Sequence, residues 1–254
     1  MTHAASAALV AAAWLVVAWL PQAAAQNTTL RALSSNGVRA ALDELVPQCE
    51  RAAGRSVAIE FGTSASIRQR VTGGEGVDVV FLTTEVVDEL AKAGHLAASS
   101  VTALGRAGIG VGIRAGARRL DIATADAIEQ SLQSATSVTY AQDGASRVHI
   151  ERMFERLGIA EEMKAKTLLE QGSVRAAAKV VSGEAELLLT LVSEILPVEG
   201  MELLGPLPAE FQGYVSFAAA LGARAADAEA ARALVACIAA PSAVATFAAK
   251  GVVR

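Results

Sequence analysis

The chain has 254 residues, with 22 Lys and Arg against 26 Asp and Glu, a formal net charge of −4 and an aromatic content of 4%. Because the basic residues are scattered and aromatic residues are few, the sequence argues against a nucleic-acid-binding surface and against stacking platforms for bases or sugars. The length suits one large domain or two lobes of ordinary size.

The N-terminal segment is apolar from about residue 7 to residue 20 and continues into Pro21 and the small-residue run 23–25. An apolar run shorter than the ~20 residues of a spanning helix, followed by such small residues, is typical of a secretory signal. We therefore predict a signal peptide over residues 1–25, cleavage after Ala25 and a periplasmic mature protein. Because no Lys or Arg precedes the apolar run, an uncleaved N-terminal anchor is the alternative.

Apolar, strand-like runs then alternate with segments of helical period, in two series. The first series reads TLRAL, VRAALDELVPQCERAAG, SVAIEF, ASIRQRVTGG, VDVVFL and TTEVVDELAKAGHL. The second reads TADAIEQSLQSA, SVTY, RVHIERMFERLG, KTLLE, GSVRAAAKVVSGE and AELLLTLV. This alternation predicts an α/β fold with parallel, doubly wound sheets.

Two stretches break the alternation and predict connections between two lobes. The glycine-rich run 107–117 predicts a strand that crosses from one lobe to the other, and the proline-rich run 193–212 predicts a return connection. The strand YVSFAAAL and two alanine-rich helices end the chain. We therefore expect two doubly wound α/β lobes joined by a two-stranded hinge, with lobe 1 at residues 26–106 plus 206–254 and lobe 2 at residues 107–205.

Four turns between a predicted strand and a helix carry small and hydroxyl residues, at 34–37, 62–64, 143–146 and 172–173. In open α/β sheets, ligands lie beyond the carboxyl ends of the strands, where exposed N–H groups at helix N-termini bind anions. Each turn alone is also explained as an ordinary helix N-cap. Because two turns come from each lobe, together they predict an anion site in one shared cleft.

Individual side chains add weaker indications. Arg147 lies one residue into the helix after the third turn, and Tyr140 ends the strand SVTY, where it is expected to face the cleft; packing at the edge of the core is its alternative. His95 and His149 have no acidic or cysteine partner at ligand spacing and are interpreted as structural. Glu194 is interpreted as a solvated hinge charge, with a latch between the lobes as the alternative.

Cys49 and Cys237 are the two cysteines of the chain, and both fall in helical patterns. In an exported protein, a single disulfide and two small buried side chains are both consistent with this usage. Neither cysteine lies in a CxxC or metal-ligand spacing, so we expect no metal site and no cofactor.

Residues 37–96 and 155–187, which contain EFGTSASIRQR and GSVRAAAKVVSGEAEL, resemble the periplasmic substrate-binding proteins of molybdate transporters, a type II extracellular solute-binding family. The resemblance implies a hinge-closing receptor that passes a small anionic solute to an inner-membrane ABC permease with its ATPase. We expect a monomer that binds no nucleic acid.

The resemblance also implies anion contacts. One hydroxyl contact of the family falls on Ser64, but the first-turn serine falls on Gly37 and the second-lobe tyrosine falls on Leu191. These departures disfavour molybdate and leave another small anion, inorganic or carboxylate, open. Together with Tyr140 and Arg147, the candidate ligand-binding residues are Ser35, Asn36, Gly37, Thr63, Ser64, Gly144, Ser146 and Val174.

We therefore expect a solute-binding component of an ABC importer, without enzymatic activity, that captures a molybdate-like oxyanion or a small organic anion by hinge closure. A ligand-sensing module for a membrane signalling partner is the alternative, and a periplasmic enzyme on the same fold is less favoured. A hydrolase needs a nucleophile beside an oriented base, whereas residues 26–254 contain two histidines and no GxSxG elbow.

Overall fold

A computed structural model describes residues 29–254, so the predicted signal segment lies outside the described residues. Within this range the chain forms ten strands and ten α-helices. The strands are β1 (Leu30–Ser35), β2 (Val57–Gly62), β3 (Val79–Thr83), β4 (Thr102–Arg114), β5 (Val138–Ala141), β6 (Thr167–Glu170), β7 (Leu187–Leu191), β8 (Met201–Pro206), β9 (Tyr214–Leu221) and β10 (Val252–Val253).

The helices follow the strands in the alternation that the sequence predicts. They are α1 (Arg39–Ala53), α2 (Ser64–Thr72), α3 (Thr84–Lys92), α4 (Ala125–Ser134), α5 (Arg147–Arg156), α6 (Ala160–Lys166), α7 (Ser173–Ser182), α8 (Val192–Ile195), α9 (Ala228–Ile238) and α10 (Val244–Ala249). Short 3-10 turns occur at Asn36–Val38, Ala98–Ser100 and Pro241–Ala243. Between residues 29 and 254, no single helix is long and apolar enough to span a membrane. The bent pair formed by α9 and the segment 241–249 passes that test of length and composition.

The strands form a mixed sheet in the order β2-β1-β3-β9-β4-β7-β5-β6, with β10 and β8 also paired to β4. Strand β4 pairs with β9 over residues 102–108 and with β7 over residues 109–113, so it runs through two groups of strands. We call the group β1, β2, β3, β9 and β10, with its helices, the first half, and the group β5, β6, β7 and β8 the second half. The predicted crossing strand is therefore present, and the predicted α/β architecture is confirmed; the lobe boundaries stay a prediction.

Parallel pairing places the carboxyl ends of several strands together within each half. Strand β1 pairs in parallel with β2 and β3, and β5 pairs in parallel with β6 and β7. Strands β3 and β7 are buried at every position, as expected of central strands covered by helices on both faces. The turns after the parallel strands consequently start α1, α2, α3, α5, α7 and α8 at the edge where the site is expected.

The predicted return connection at residues 193–212 contains a regular strand. Residues 201–206 form β8, which pairs with β4 in antiparallel register. Its prolines lie before the strand, at Pro197, and at its last residue, Pro206, where the missing N–H disturbs the ladder least. Proline content therefore concealed a strand whose interior contains no proline.

Cys49 in α1 and Cys237 in α9 form a disulfide, with their Cα atoms 5.7 Å apart and a sequence separation of 188 residues. The bond joins two helices of the first half that also pack against each other. Of the two alternatives open from the sequence, the structure shows the disulfide.

We predict that replacing both cysteines by alanine lowers the free energy of unfolding by about 2–5 kcal/mol, because a long loop is no longer constrained in the unfolded chain. Urea denaturation of the oxidised wild type and the variant measures this difference. Reduced wild type is the matched control and should unfold near the variant's midpoint. Equal midpoints for oxidised and reduced wild type would contradict the prediction.

Candidate functional site

Turns from both halves meet around a small closed cavity of about 20 Å³. This volume has room for about one water molecule. Four of its lining residues carry hydroxyl groups, one carries a carboxylate, and two are large and apolar. The lining residues are Ser35, Thr63, Ser64, Gly144, Ala145, Ser173, Leu191, Glu194 and Phe217.

Two lining hydroxyls, those of Ser35 and Ser64, accept a hydrogen bond from a backbone amide and have no acceptor for their own proton among the described residues. The Ser35 Oγ at the end of β1 accepts from the Gly37 N–H at 3.2 Å, and the Ser64 Oγ at the start of α2 accepts from the Thr83 N–H at 3.1 Å. A hydroxyl has one proton to donate, and here its oxygen is already an acceptor. The protons of Ser35 and Ser64 are therefore available to donate to an anion in the cavity.

Helix N-termini reinforce this preference for negative charge. Thr63 caps α2, its Oγ1 accepting from the Ser66 N–H at 3.1 Å, and Gly172 precedes α7 with a φ of 78° that favours glycine. The first N–H groups of each helix lack partners within the helix and carry the positive end of its dipole. Helices of nine and ten residues thus begin at this cavity, one from each half.

The carboxylate of Asp143 joins the two halves at this place. Its Oδ2 accepts from the Thr63 Oγ1 at 2.8 Å across the cleft, and its Oδ1 accepts from the Gly172 N–H at 2.9 Å within the second half. A protein carboxylate therefore occupies donors at the starts of α2 and α7, the kind of donors that bind external anions. The structure shows the cleft with this bridge made.

The wall of the cavity opposite the hydroxyls is apolar. A Cβ atom added to Gly37 would lie 2.4 Å from the Phe217 Cζ and 3.1 Å from the Leu191 Cδ1, so no larger residue fits at Gly37. The positions on which the family's serine and tyrosine fall thus carry a glycine packed under Phe217 and a leucine. This wall suits contact with carbon–hydrogen groups more than with the oxygens of an inorganic oxyanion.

Glu194 is the carboxylate of the cavity, and its interpretation as a solvated hinge charge is wrong. Its Oε1 accepts from the Ser173 Oγ at 2.9 Å and its Oε2 accepts from the Thr190 hydroxyl, both within the second half. The residue keeps some exposed surface, but burial of its carboxylate raises its pKa, against the lowering effect of these two hydrogen bonds. Repulsion from Asp143 also raises it. The carboxyl is thereby poised to exchange a proton closer to neutral pH than an exposed glutamate.

A larger groove of about 630 Å³ adjoins the cavity, because Ser173 and Glu194 line both spaces. The groove also contains two of the predicted residues, Asn36 and Val174, and two cationic side chains, Arg39 and Lys250. The two cations pair with Asp43 at 3.5 Å and Glu44 at 3.2 Å, and both remain partly exposed.

A third space of about 270 Å³ adjoins the cavity through Ser64 and Gly144 and is also lined by Asp143 and His149. Burial lowers the pKa of His149, and the nearby Arg152 lowers it further. The imidazole therefore favours the neutral form, in agreement with a packed side chain.

The structure brings together six predicted residues, namely Ser35, Asn36, Thr63, Ser64, Gly144 and Val174, at the cavity and the groove, with Gly37 packed behind the wall. It places three others elsewhere. Tyr140 is buried with its hydroxyl 3.5 Å from the Glu151 carboxylate, and burial raises its pKa to about 12.

Arg147 pairs with the same Glu151 at 2.7 Å and donates to the Gln142 carbonyl, so its charge is taken up within the second half. Ser146 is buried at the start of α5 and does not line the cavity. Tyr140 is thus in the core position that was its alternative, and neither Tyr140 nor Arg147 supplies a donor to the cavity.

Glu194 and Phe217 are the residues of the cavity that sequence reasoning missed. Glu194 follows β7 closely, so the rule that located the other turns also applies to it. The signal was hidden because the apolar run AELLLTLV continues past the end of the strand. Phe217 lies inside β9, and only its register beside β3 shows that it reaches the cavity.

The family model of bacterial extracellular solute-binding proteins matches residues 30–253. The chain belongs to this family. A periplasmic molybdate-binding protein from Azotobacter vinelandii has the same fold, with a TM-score of 0.76 at 18% identity over 89% of this chain and 99% of that one. A sulfate-binding protein from Mycobacterium tuberculosis gives 0.67 at 18% identity over 89% and 86%. The resemblance to this family of binding proteins is confirmed, and the family's description as extracellular agrees with a location outside the cytoplasm.

A protein from a Pseudomonas species, named aconitate isomerase, is 34% identical over 227 residues, which cover 87% of this chain and 86% of that protein. The expectation that the chain is not an enzyme is contradicted by this finding, because a relative of this similarity carries the name of an enzyme. The fold alone did not reveal it, since one fold serves both binding and catalysis.

We predict that Asp143→Ala opens the cleft of the unliganded protein. A hydrogen bond to a charged group contributes about 1.5–3 kcal/mol, so the ratio of closed to open molecules should fall about tenfold or more. Small-angle X-ray scattering should show a larger radius of gyration, and the Gly172 amide should exchange its hydrogen faster. Asp121→Ala, which removes a local turn contact away from the cleft, is the control, and unchanged scattering by Asp143→Ala would contradict the prediction.

Proposed function

We propose that this protein is an isomerase of aconitate, or of a closely similar unsaturated tricarboxylate, working in the cleft between two lobes at residues 26–106 with 206–254 and 107–205. The observation that carries the proposal is the 34% identity, over most of both chains, to a protein named aconitate isomerase. The geometry of the cleft supports it in three respects: the kind of anion, its number of charges and the chemistry available.

The cavity favours an organic anion. Hydroxyl protons of Ser35 and Ser64 and the starts of α2 and α7 offer donors to a carboxylate. Leu191 and Phe217 offer an apolar surface to the carbon chain that carries it. An inorganic oxyanion presents oxygens in every direction and would leave this surface without a matching group.

The adjoining groove favours more than one carboxylate. The cavity has room for little more than one polar group, whereas the groove extends from Glu194 to the cationic side chains Arg39 and Lys250. A molecule with carboxylates on successive carbons would place one at the hydroxyls and another toward these cations. Charge attraction over this distance is moderate, because both cations are partly exposed and paired and because Asp43, Glu194 and Glu199 line the same groove.

The chain's own groups favour isomerisation by proton transfer. Aconitate has a double bond and a methylene group among three carbons that each carry a carboxylate, so moving one proton from the methylene to the far carbon moves the double bond. The newly formed double bond has either geometry, which connects the cis and trans forms. A route through reversible addition of a thiol is not open to this chain, because both of its cysteines are in the disulfide.

We predict that the purified protein converts cis-aconitate into the trans isomer until the mixture reaches equilibrium. Proton NMR in water follows both isomers, and in D₂O deuterium should enter the carbon skeleton in those turnovers in which the transferred proton exchanges with solvent. The double variant Ser35→Ala and Ser64→Ala, purified in the same way, is the control for a contaminating enzyme. Absence of conversion and of deuterium incorporation by the wild type would overturn the proposal.

We predict that Ser64→Ala alone raises KM for aconitate about tenfold or more, because a hydrogen bond to a charged group contributes about 1.5–3 kcal/mol. The variant also leaves the Thr83 N–H without its acceptor, so it should be somewhat less stable. Ser66→Ala is the matched control on the same helix, since the Ser66 hydroxyl already donates to the Thr63 carbonyl at 2.9 Å. Equal KM values for the two variants would contradict a role of Ser64 in binding.

Delivery of a bound anion to an inner-membrane ABC permease with its ATPase is a second candidate function. The family and the molybdate- and sulfate-binding neighbours favour it. Melting temperatures distinguish the two, because a ligand of the native state raises them. A rise with molybdate or sulfate, and none with aconitate, would favour delivery, whereas the reverse favours the isomerase.

A further inference from the structure

We propose that Glu194 is the catalytic residue that moves the proton in this isomerisation. The inference rests on the proposed function and names the group that performs its chemistry. Three features of the structure carry it: where Glu194 lies, how its carboxylate is held, and where the competing groups lie.

Glu194 lies at the junction of the two spaces that a tricarboxylate would occupy. It lines the hydroxyl cavity and the adjoining groove, a position that it shares only with Ser173 among the lining residues. A substrate with one carboxylate at Ser35 and Ser64 and another toward Arg39 would carry its middle carbons past this junction. The carbons that lose and gain the proton are therefore beside the Glu194 carboxylate.

The carboxylate is fixed by its own half of the molecule. Ser173 and Thr190 donate one hydrogen bond to each of its oxygens, and the Leu191 backbone also bonds to the carboxylate, so at least one of its four lone pairs stays open. The apolar side chains of Leu191 and Phe217 line the same cavity and limit access of water. A carboxylate that is held in place, partly desolvated and still able to accept is suited to general acid–base work.

The proposed step balances within the substrate and one side chain. A Glu194 oxygen takes a proton from the methylene carbon, and the electron pair of the broken C–H bond forms a new C–C double bond. The electrons of the old double bond pass to the far carbon, which takes the proton back from the same carboxyl group. Nothing is oxidised or reduced, and Glu194 is a carboxylate at the end of the step, as it was at the start.

The other candidate groups lie farther from this path. Asp143 lines neither the cavity nor the groove, and its oxygens bridge Thr63 and Gly172. His149 lines the third space, where its ring packs against Gly213. Ser173 and Thr190 act as positioning residues, because they act through Glu194.

The first experiment uses Glu194→Gln in the full-length protein, with cis-aconitate as the probe. General acid–base catalysis contributes about 10²–10⁴ to the rate, so kcat should fall at least a hundredfold. The rise in melting temperature with aconitate should stay close to that of the wild type, and deuterium incorporation from D₂O should be lost. Glu161→Gln, at an exposed glutamate of α6 that lines neither the cavity nor the groove, is the matched control and should retain the wild-type rate.

The outcomes separate this inference from the function on which it rests. If the wild type isomerises aconitate and Glu194→Gln retains more than a tenth of kcat, the assignment of Glu194 is wrong and the function stands. If the wild type neither isomerises aconitate nor exchanges its protons with D₂O, the proposed function itself fails.

A second variant covers the case in which Glu194→Gln does not fold. Thr190→Val removes a donor that lowers the pKa of the Glu194 carboxyl, so that pKa should rise and the acidic limb of kcat/KM should move to higher pH. Thr190→Ser should restore the limb. The other charged groups on this profile are Asp143, Arg39, Asp43, Glu199 and Lys250, which all remain unchanged. An acidic limb that does not move in a folded Thr190→Val would overturn the inference.

Discussion

The carboxylate of Asp143 bridges the two halves of the molecule beside the candidate site. It accepts from Thr63 in one half and from the Gly172 amide in the other, at the starts of α2 and α7. The cavity beside this bridge has room for about one water. In the proposed function, a larger anion requires the cleft to open, and it would use donors at the same helix starts as the bridge. Ligand binding and cleft movement are then linked, because a ligand shifts the equilibrium only by its difference in affinity for the two forms.

The cleft attracts negative charge mainly through dipoles rather than through buried cations. Ser35 and Ser64 each accept from a backbone amide and so keep their proton for a ligand, and two helices begin at the same point. Groups of this kind replace the hydration of an anion without the cost of burying a cation. The same kind of arrangement suits an oxyanion or a carboxylate. In the proposed function, the apolar wall selects the carboxylate, since Phe217 fills the space above Gly37 and Leu191 lies where a hydroxyl donor is expected.

The sequence was sufficient for the fold and for most of the cleft, because both depend on local signals. Alternating strand and helix patterns predicted the α/β architecture, and the rule that ligands lie beyond the carboxyl ends of strands located Ser35, Thr63 and Ser64. The misplaced residues depend on long-range packing. Tyr140 and Arg147 both turn to Glu151, which is eleven residues from the first and four from the second, and no local pattern shows that preference.

The pairing of the cysteines and the environment of Glu194 could not be predicted from the sequence, for a similar reason. Cys49 and Cys237 are 188 residues apart, so their pairing depends on how α1 and α9 pack. Glu194 reads as an exposed charge in a short segment, and only the assembled sheet shows Ser173 and Thr190 on its two oxygens. The proposed isomerase activity needs no nucleophile, because proton transfer in an anion site needs only one well-held carboxylate, and a single glutamate forms no recognisable motif.

The distance from a binding protein to an isomerase is short in this fold. A binding protein stabilises the ground state of its anion, and catalysis requires that some contacts become stronger as the reaction proceeds. When a proton leaves the methylene of a tricarboxylate, negative charge spreads from carbon onto the neighbouring carboxylate oxygens. Donors that bind a carboxylate at rest are then in place for the additional charge, and their orientation costs nothing further at that moment. The hydroxyl protons of Ser35 and Ser64 and the starts of α2 and α7 would serve both purposes. On this view the binding site needed only two additions to become a catalytic one: an apolar wall that limits access of water, and a carboxylate at its border that takes the proton and gives it back.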